Sequence, residues 1–125
     1  MFYDVIHVED APKLRRLLRE LLQFRSLSYL GLPTLDALEA ALTTSRAKAY
    51  VVDSSFPRTR GAYPGTLYKK AIEAIKAREP DAEIFLFSGG RNIAEMAAGA
   101  GVSYIPKLGM ANLVEALEDI IAQHA

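Results

Sequence analysis

One rhythm limits the fold of this sequence more than any other feature. A short apolar run, a break and an amphipathic segment follow one another five times. Tyr3 to Val8 is the first run, and Asp10-Ala11-Pro12 after it reads as a helix start, because Asp can cap and Pro fits the first turn. Leu14, Leu17, Leu18, Leu21 and Leu22 then recur at helical spacing and form one apolar face, without the sustained heptads of a zipper. Ser28 to Leu32 is a short, weak strand, and Thr34 caps a second helix carrying Leu35, Leu38, Ala41 and Leu42. Ala49 to Val52 is a buried-type strand ending at Asp53, followed by a loop with Pro57, Gly61, Pro64 and Gly65. Leu67, Ala71, Ile72 and Ile75 mark a third helix that stops before Pro80. Glu83 to Phe87 is the fourth strand, broken by Ser88-Gly89-Gly90. Asn92 with Glu95 resembles a capping box for a short fourth helix closed by Gly99 and Gly101. Val102 to Ile105 is the fifth strand, and Asn112 with Glu115 repeats the capping pattern before Leu113, Leu117, Ile120 and Ile121.

Strands alternating with helices predict an α/β fold, a parallel sheet covered on both faces. The nearly continuous apolar strands agree, since parallel strands are buried on both sides. The expectation is a doubly wound (βα)5 sheet in the order 2-1-3-4-5, formed by one domain over residues 1–125. A chain of this size buries roughly two-thirds of its unfolded surface, enough for its own core. No apolar run approaches the roughly 20 residues of a membrane span. Met1-Phe2-Tyr3-Asp4 lacks the pattern of a secretory leader, and the chain has no cysteine. A cytoplasmic location without membrane attachment is expected. The 15 basic and 15 acidic side chains cancel, which argues against direct nucleic-acid binding.

In a doubly wound sheet, ligands gather at the carboxyl ends of the strands. The first strand ends in Glu9-Asp10, the third in Asp53 and the fourth in Ser88, while the fifth runs into Lys107. Three carboxylates, a hydroxyl and an ammonium therefore converge on one edge. Unpaired, the carboxylates would repel one another. A hard cation such as Mg²⁺ relieves that, since it favours oxygen ligands and bridges carboxylates to phosphate oxygens. His7, between Ile6 and Val8, reads as a structural histidine, and His124 near the end of the sequence takes no role.

With these residues in place, the sequence resembles the receiver domains of two-component signalling over nearly its whole length. The resemblance is carried by Glu9-Asp10, Asp53, Ser88-Gly89 and Lys107 at successive strand ends. Pro57 and Gly61 stand four and eight residues after Asp53, and Tyr104 stands three before Lys107, where the family has an aromatic switch. The resemblance implies that Asp53 is the phosphoacceptor and that Glu9, Asp10, Asp53 and the Ser55 carbonyl hold Mg²⁺. Lys107 would pair with the phosphoryl group, Ser88 would turn to it, and Tyr104 would follow inward. It further implies a signalling protein rather than a metabolic enzyme, one that catalyses its own phosphoryl transfer and slow autodephosphorylation. Its donor would be a histidine kinase or histidine phosphotransfer protein. A downstream protein would bind the face of the fourth helix, fifth strand and fifth helix. The expected assembly is a monomer or a weak phosphorylation-dependent dimer, with no output domain following the fifth helix.

Three features depart from the family pattern. The order Pro106-Lys107-Leu108 replaces the usual Lys-Pro, the Arg58 to Thr66 loop is a few residues longer, and Phe56 stands where Met is common. A degenerate receiver, acting as a phosphorylation-independent interaction module, is the alternative that the altered lysine loop raises. A flavin-binding protein of similar topology is a third reading. Glu9-Asp10-Ala11-Pro12 opposes it, being acidic and without the glycine and hydroxyl residues that hold a phosphate.

Overall fold

The computed structural model describes residues 1–123, so His124 lies outside the described residues. The elements run β1 (Phe2–Val8), α1 (Pro12–Phe24), β2 (Tyr29–Leu32), α2 (Leu35–Leu42), β3 (Arg46–Val52), α3 (Tyr68–Arg78), β4 (Glu83–Ser88), α4 (Ile93–Ala100), β5 (Ser103–Pro106) and α5 (Met110–Gln123). The strands form one sheet in the order β2-β1-β3-β4-β5, and every pairing is parallel. This is the doubly wound α/β arrangement expected from the rhythm. No described helix is long and apolar enough to cross a membrane.

Side chains alternate across the sheet with the period of two that a strand imposes. Ile6, Val8, Tyr50, Val52, Ile84 and Leu86 point into one core with α2, α3 and α4. Val5, Ala49, Val51, Phe85 and Phe87 point into the other with Leu18 and Leu22 of α1 and with Leu113, Val114, Leu117 and Ile121 of α5. Two apolar layers thus bury both faces; His7 is a buried polar side chain within β1, and Glu9, Asp53 and Ser88 are buried at strand ends.

The helix starts follow the sequence in one case and depart from it in three. Thr34 caps α2 as expected, its Oγ1 accepting from Ala37 N–H at 3.0 Å. At α1 the capping position falls to Ala11, and no side chain caps it, so Asp10 is not the cap. At α4 Asn92 makes no side-chain cap. Gly99 lies inside that helix, and Gly101 alone ends it, with φ +68° in the left-handed region that favours glycine. At α5 the helix begins at Met110, two residues before Asn112, as Leu113 N–H reaches back to Gly109 C=O at 2.8 Å. A propensity marks a neighbourhood for a helix start, and packing of the preceding loop chooses the residue.

The extended loop after Asp53 is ordered by its own backbone. Phe56 and Gly65 exchange two hydrogen bonds, of 3.1 and 3.0 Å, as an isolated antiparallel bridge. Residues 57–64 form the excursion between them. Phe56 is fully buried in the α2–α4 core, while Tyr63 at the excursion is 95% exposed. Leu35 N–H and Asp36 N–H donate to Pro57 and Arg58 carbonyls and tie the loop to the start of α2.

Leu18 is fully buried against the sheet. Leu18→Ala removes its side chain from a layer that cannot collapse freely, and about 2–5 kcal/mol of stability should be lost. Urea unfolding measures this, and a loss near zero would show that α1 is not a structural layer of the core.

Candidate functional site

The parallel register brings the strand ends level. Val8 pairs with both Leu32 and Val52, Val52 pairs with Leu86, and Ser88 pairs with Pro106. The ladders continue one step past the strands: Glu9 N–H donates to Leu32 C=O at 2.9 Å, Asp53 N–H to Val8 C=O at 3.0 Å and Lys107 N–H to Ser88 C=O at 3.0 Å. Backbone pairing therefore positions Glu9, Asp53 and Lys107 before any side-chain contact is made. Asp10, the next residue, joins them: one ligand atom from each of Glu9, Asp10 and Asp53 lies within 4.8 Å of the others.

Lys107 Nζ stands 2.9 Å from Glu9 Oε1 and 3.2 Å from Asp53 Oδ1. The altered Pro-Lys-Leu order has not kept the ammonium from the site. The contact with the buried Glu9 is a close ion pair. The other Glu9 oxygen accepts from Ala11 N–H at 3.2 Å, and the Glu9 carbonyl accepts from Arg15 Nη1 at 2.5 Å. Burial pushes the Glu9 carboxyl up to about 7, helped by the nearby Asp53 charge and opposed by Lys107. Lys107 moves up as well: its own burial pulls it down, and the two carboxylates outweigh that.

Ser88 is buried, and its Oγ lies 2.6 Å from Ser54 Oγ and accepts from Gly90 N–H at 3.2 Å. Ser54 N–H in turn donates to Asp53 Oδ1 at 2.8 Å. Ser54 is the site residue that the sequence reading missed. A serine in a loop carries no signal of its own, and only its position one residue past Asp53 could have drawn attention. Tyr104 lies on β5, 45% exposed, so its ring is outside the core. Ser55 is an exposed loop residue two positions past Asp53.

His7 is buried below the site with its Nδ1 2.7 Å from Tyr29 Oη, and its Nε2 has no partner. Burial, then Lys107 and Arg15, push its imidazole down to about 3. It is neutral at physiological pH, which agrees with its reading as a structural residue.

The donor set suits a hard divalent cation. All three candidate ligands are carboxylates, grouped closely enough for one ion. The edge can thus hold a metal beside Lys107.

No protein-family model matches the sequence, and no curated protein matches it. Solved structures do. The receiver domain of the Francisella response regulator 1452 is 9% identical, with a TM-score of 0.79 over 98% of this chain and 99% of that one. A CheY-like response regulator receiver domain protein from Methanospirillum hungatei is 14% identical, with a TM-score of 0.78 over 98% and 96%. The non-phosphorylated HemR receiver domain from Leptospira biflexa is 21% identical, with a TM-score of 0.74 over 94% and 92%. The chain has the receiver-domain fold across nearly all of its length.

Replacing Lys107 leaves Glu9 buried without its cation. In the folded protein the Glu9 carboxyl is already raised from 4.5 to about 7, so its ionised form is penalised, and the penalty grows as pH rises through that interval. Lys107→Met raises that carboxyl further. The variant should lose about 1–3 kcal/mol at pH 8 and clearly less at pH 5, where Glu9 takes up a proton instead. Urea unfolding in metal-free buffer at the two pH values measures this. Equal losses at both would remove Glu9 as the partner that matters.

Proposed function

We propose that this chain is a phosphorylation-dependent signalling switch with Asp53 as the phosphoacceptor. One observation carries the reading: Asp53 ends the central strand 3.2 Å from the Lys107 ammonium, among carboxylates grouped closely enough for one cation. The receiver-domain fold supports it, because the same edge of the sheet is where such a fold concentrates its chemistry.

An Asp53 carboxylate oxygen attacks phosphorus in line. The bond from phosphorus to the donor breaks, and the donor group leaves with the electron pair. Phosphoryl transfer asks mainly for positioning and charge neutralisation. Glu9, Asp10 and Asp53, with the Ser55 carbonyl, hold Mg²⁺, which when bound neutralises charge on the transferring group. Lys107 shifts from its carboxylate contacts toward the new phosphoryl oxygens. Ser88 donates to the same group, and its 2.6 Å contact with Ser54 links it to the loop after Asp53 in the unphosphorylated arrangement. Tyr104 is free to rotate inward behind Ser88, and α4, β5 and α5 form the face that a downstream protein reads. α4 is alanine-rich, and the left-handed Gly101 at its end lets it move with little repacking. The phosphodonor is a histidine kinase or a histidine phosphotransfer protein. The position of Lys107 beside both carboxylates favours this reading over the degenerate-receiver alternative, and Mg²⁺-dependent phosphorylation separates the two.

Acetyl phosphate with Mg²⁺ should add one phosphoryl group, read by intact mass, and Asp53→Asn should abolish it. An unchanged adduct on the variant would overturn the assignment. Mg²⁺ should also raise the thermal midpoint, by an amount set by its concentration over Kd. Asp10→Asn should remove most of that rise, and a wild-type response in the variant would exclude Asp10 as a ligand.

A further inference from the structure

Between the start of α1 and β2 lies a cavity of about 380 Å³ whose rim carries three guanidinium groups. We propose that this cavity is a second ligand site, which takes a small phosphorylated organic molecule: its phosphate on Arg15, Arg16 and Arg19, its apolar part on Pro12, Leu30 and the Tyr29 ring. The cavity shares no lining residue with the carboxylate group, although Arg15 touches the Glu9 carbonyl, and the inference does not rest on Asp53 being the acceptor.

The arginines are arranged against the interest of the helix. Residues 13–19 hold Lys13, Arg15, Arg16 and Arg19 and no acidic side chain. Arg15 and Arg19 stand four apart, where like charges on a helix repel. Among the described residues, none of the three guanidinium groups is within 4.0 Å of a carboxylate, whereas Arg25, Arg46 and Arg58 each have such a partner. Arg15 donates to the Glu9 backbone carbonyl through Nη1, which holds its side chain beside the cavity. The charge is thus concentrated and partly oriented, and no side chain of the described chain neutralises it.

The floor of the cavity is built by a glycine. A Cβ at Gly31 would stand 2.7 Å from Tyr29 Oη and 3.0 Å from Arg15 Cδ. Only glycine lets the Tyr29 phenol fold across the strand to reach His7 Nδ1 at 2.7 Å. Burial raises the Tyr29 hydroxyl above its ordinary range, while Arg15 and Arg19 pull it back, so both cations act on the group that forms the cavity wall.

The ligand class follows from shape and charge together. Planar guanidinium forks match phosphate oxygens in bidentate geometry. The volume lies at the low end of small-molecule pockets, roughly 300–1,000 Å³. A ligand with a phosphate at the rim and a ring or short apolar portion inside uses both kinds of wall.

The test uses AMP and inorganic phosphate, which share one phosphate group and differ by the organic part. Amide shifts of the full chain are followed in metal-free buffer, so that no cation recruits anions to the carboxylate edge. AMP should saturate and move amides in residues 12–19 and 29–31, with inorganic phosphate binding more weakly to the same amides. The Arg16→Ala, Arg19→Ala double variant should bind AMP at least about tenfold more weakly, the loss expected for charge-assisted hydrogen bonds. Both residues are exposed, so its thermal midpoint should stay near that of the wild type. Arg78→Ala, an exposed arginine on α3, should bind AMP as the wild type does. Failure of AMP to saturate, equal affinity for AMP and phosphate, or equal loss in Arg78→Ala would overturn the proposal. So would tighter binding of a hexaglutamate peptide at the same amides, which would make the surface a dock for acidic protein segments.

Discussion

Lys107 Nζ lies 2.9 Å from one carboxylate and 3.2 Å from another at the end of a sheet whose two faces are sealed by apolar layers. Without that ammonium, buried Glu9 would have no cation beside it, and Asp53 and Asp10 would add to the repulsion. Breaking such a buried pair by removing one partner is far more costly than never having formed it. The chain accepts that liability at one edge only. Elsewhere the buried strand positions are mostly apolar and alternate between two cores, with His7 as a buried polar exception.

On the proposed reading, two contacts would carry the effect of a covalent anion away from Asp53. Lys107 is held to β4 by its own backbone bond to Ser88, and Ser88 is held to the loop after β3 by Ser54. A new negative group would draw on both contacts at once, one through charge and one through a hydroxyl. The neighbouring α4 carries little packed bulk, with Ile93 and Ala97 as its buried residues. A small change of hydrogen bonding therefore meets an element that has few contacts to lose, the condition for a two-state rearrangement.

The loop after Asp53 is closed by the Phe56–Gly65 bridge, which anchors a buried aromatic and lets residues 57–64 project outward. Arg58 there lies 3.8 Å from both Asp36 and Glu39, exposed contacts that contribute little to stability.

The sequence by itself determined the layer order of the fold and five of its strand-end groups. The alternation of buried runs and amphipathic segments points to a parallel sheet wrapped on both faces. Glu9, Asp10, Asp53, Ser88 and Lys107 were legible because each ends or follows an apolar run, so topology alone carries them to one edge. Tertiary structure decided what depends on neighbours distant in sequence. Asp10 could be a helix cap or a member of the carboxylate group, and the chain settled it by leaving Ala11 at the capping position. Asn92 and Asn112 matched a capping pattern that packing did not use. Ser54 became part of the site only when β4 brought Ser88 within 2.6 Å of it. The reason is common to these cases: local patterns state which groups a residue can satisfy, and the partner that satisfies it is chosen by the approach of a segment far away in the chain.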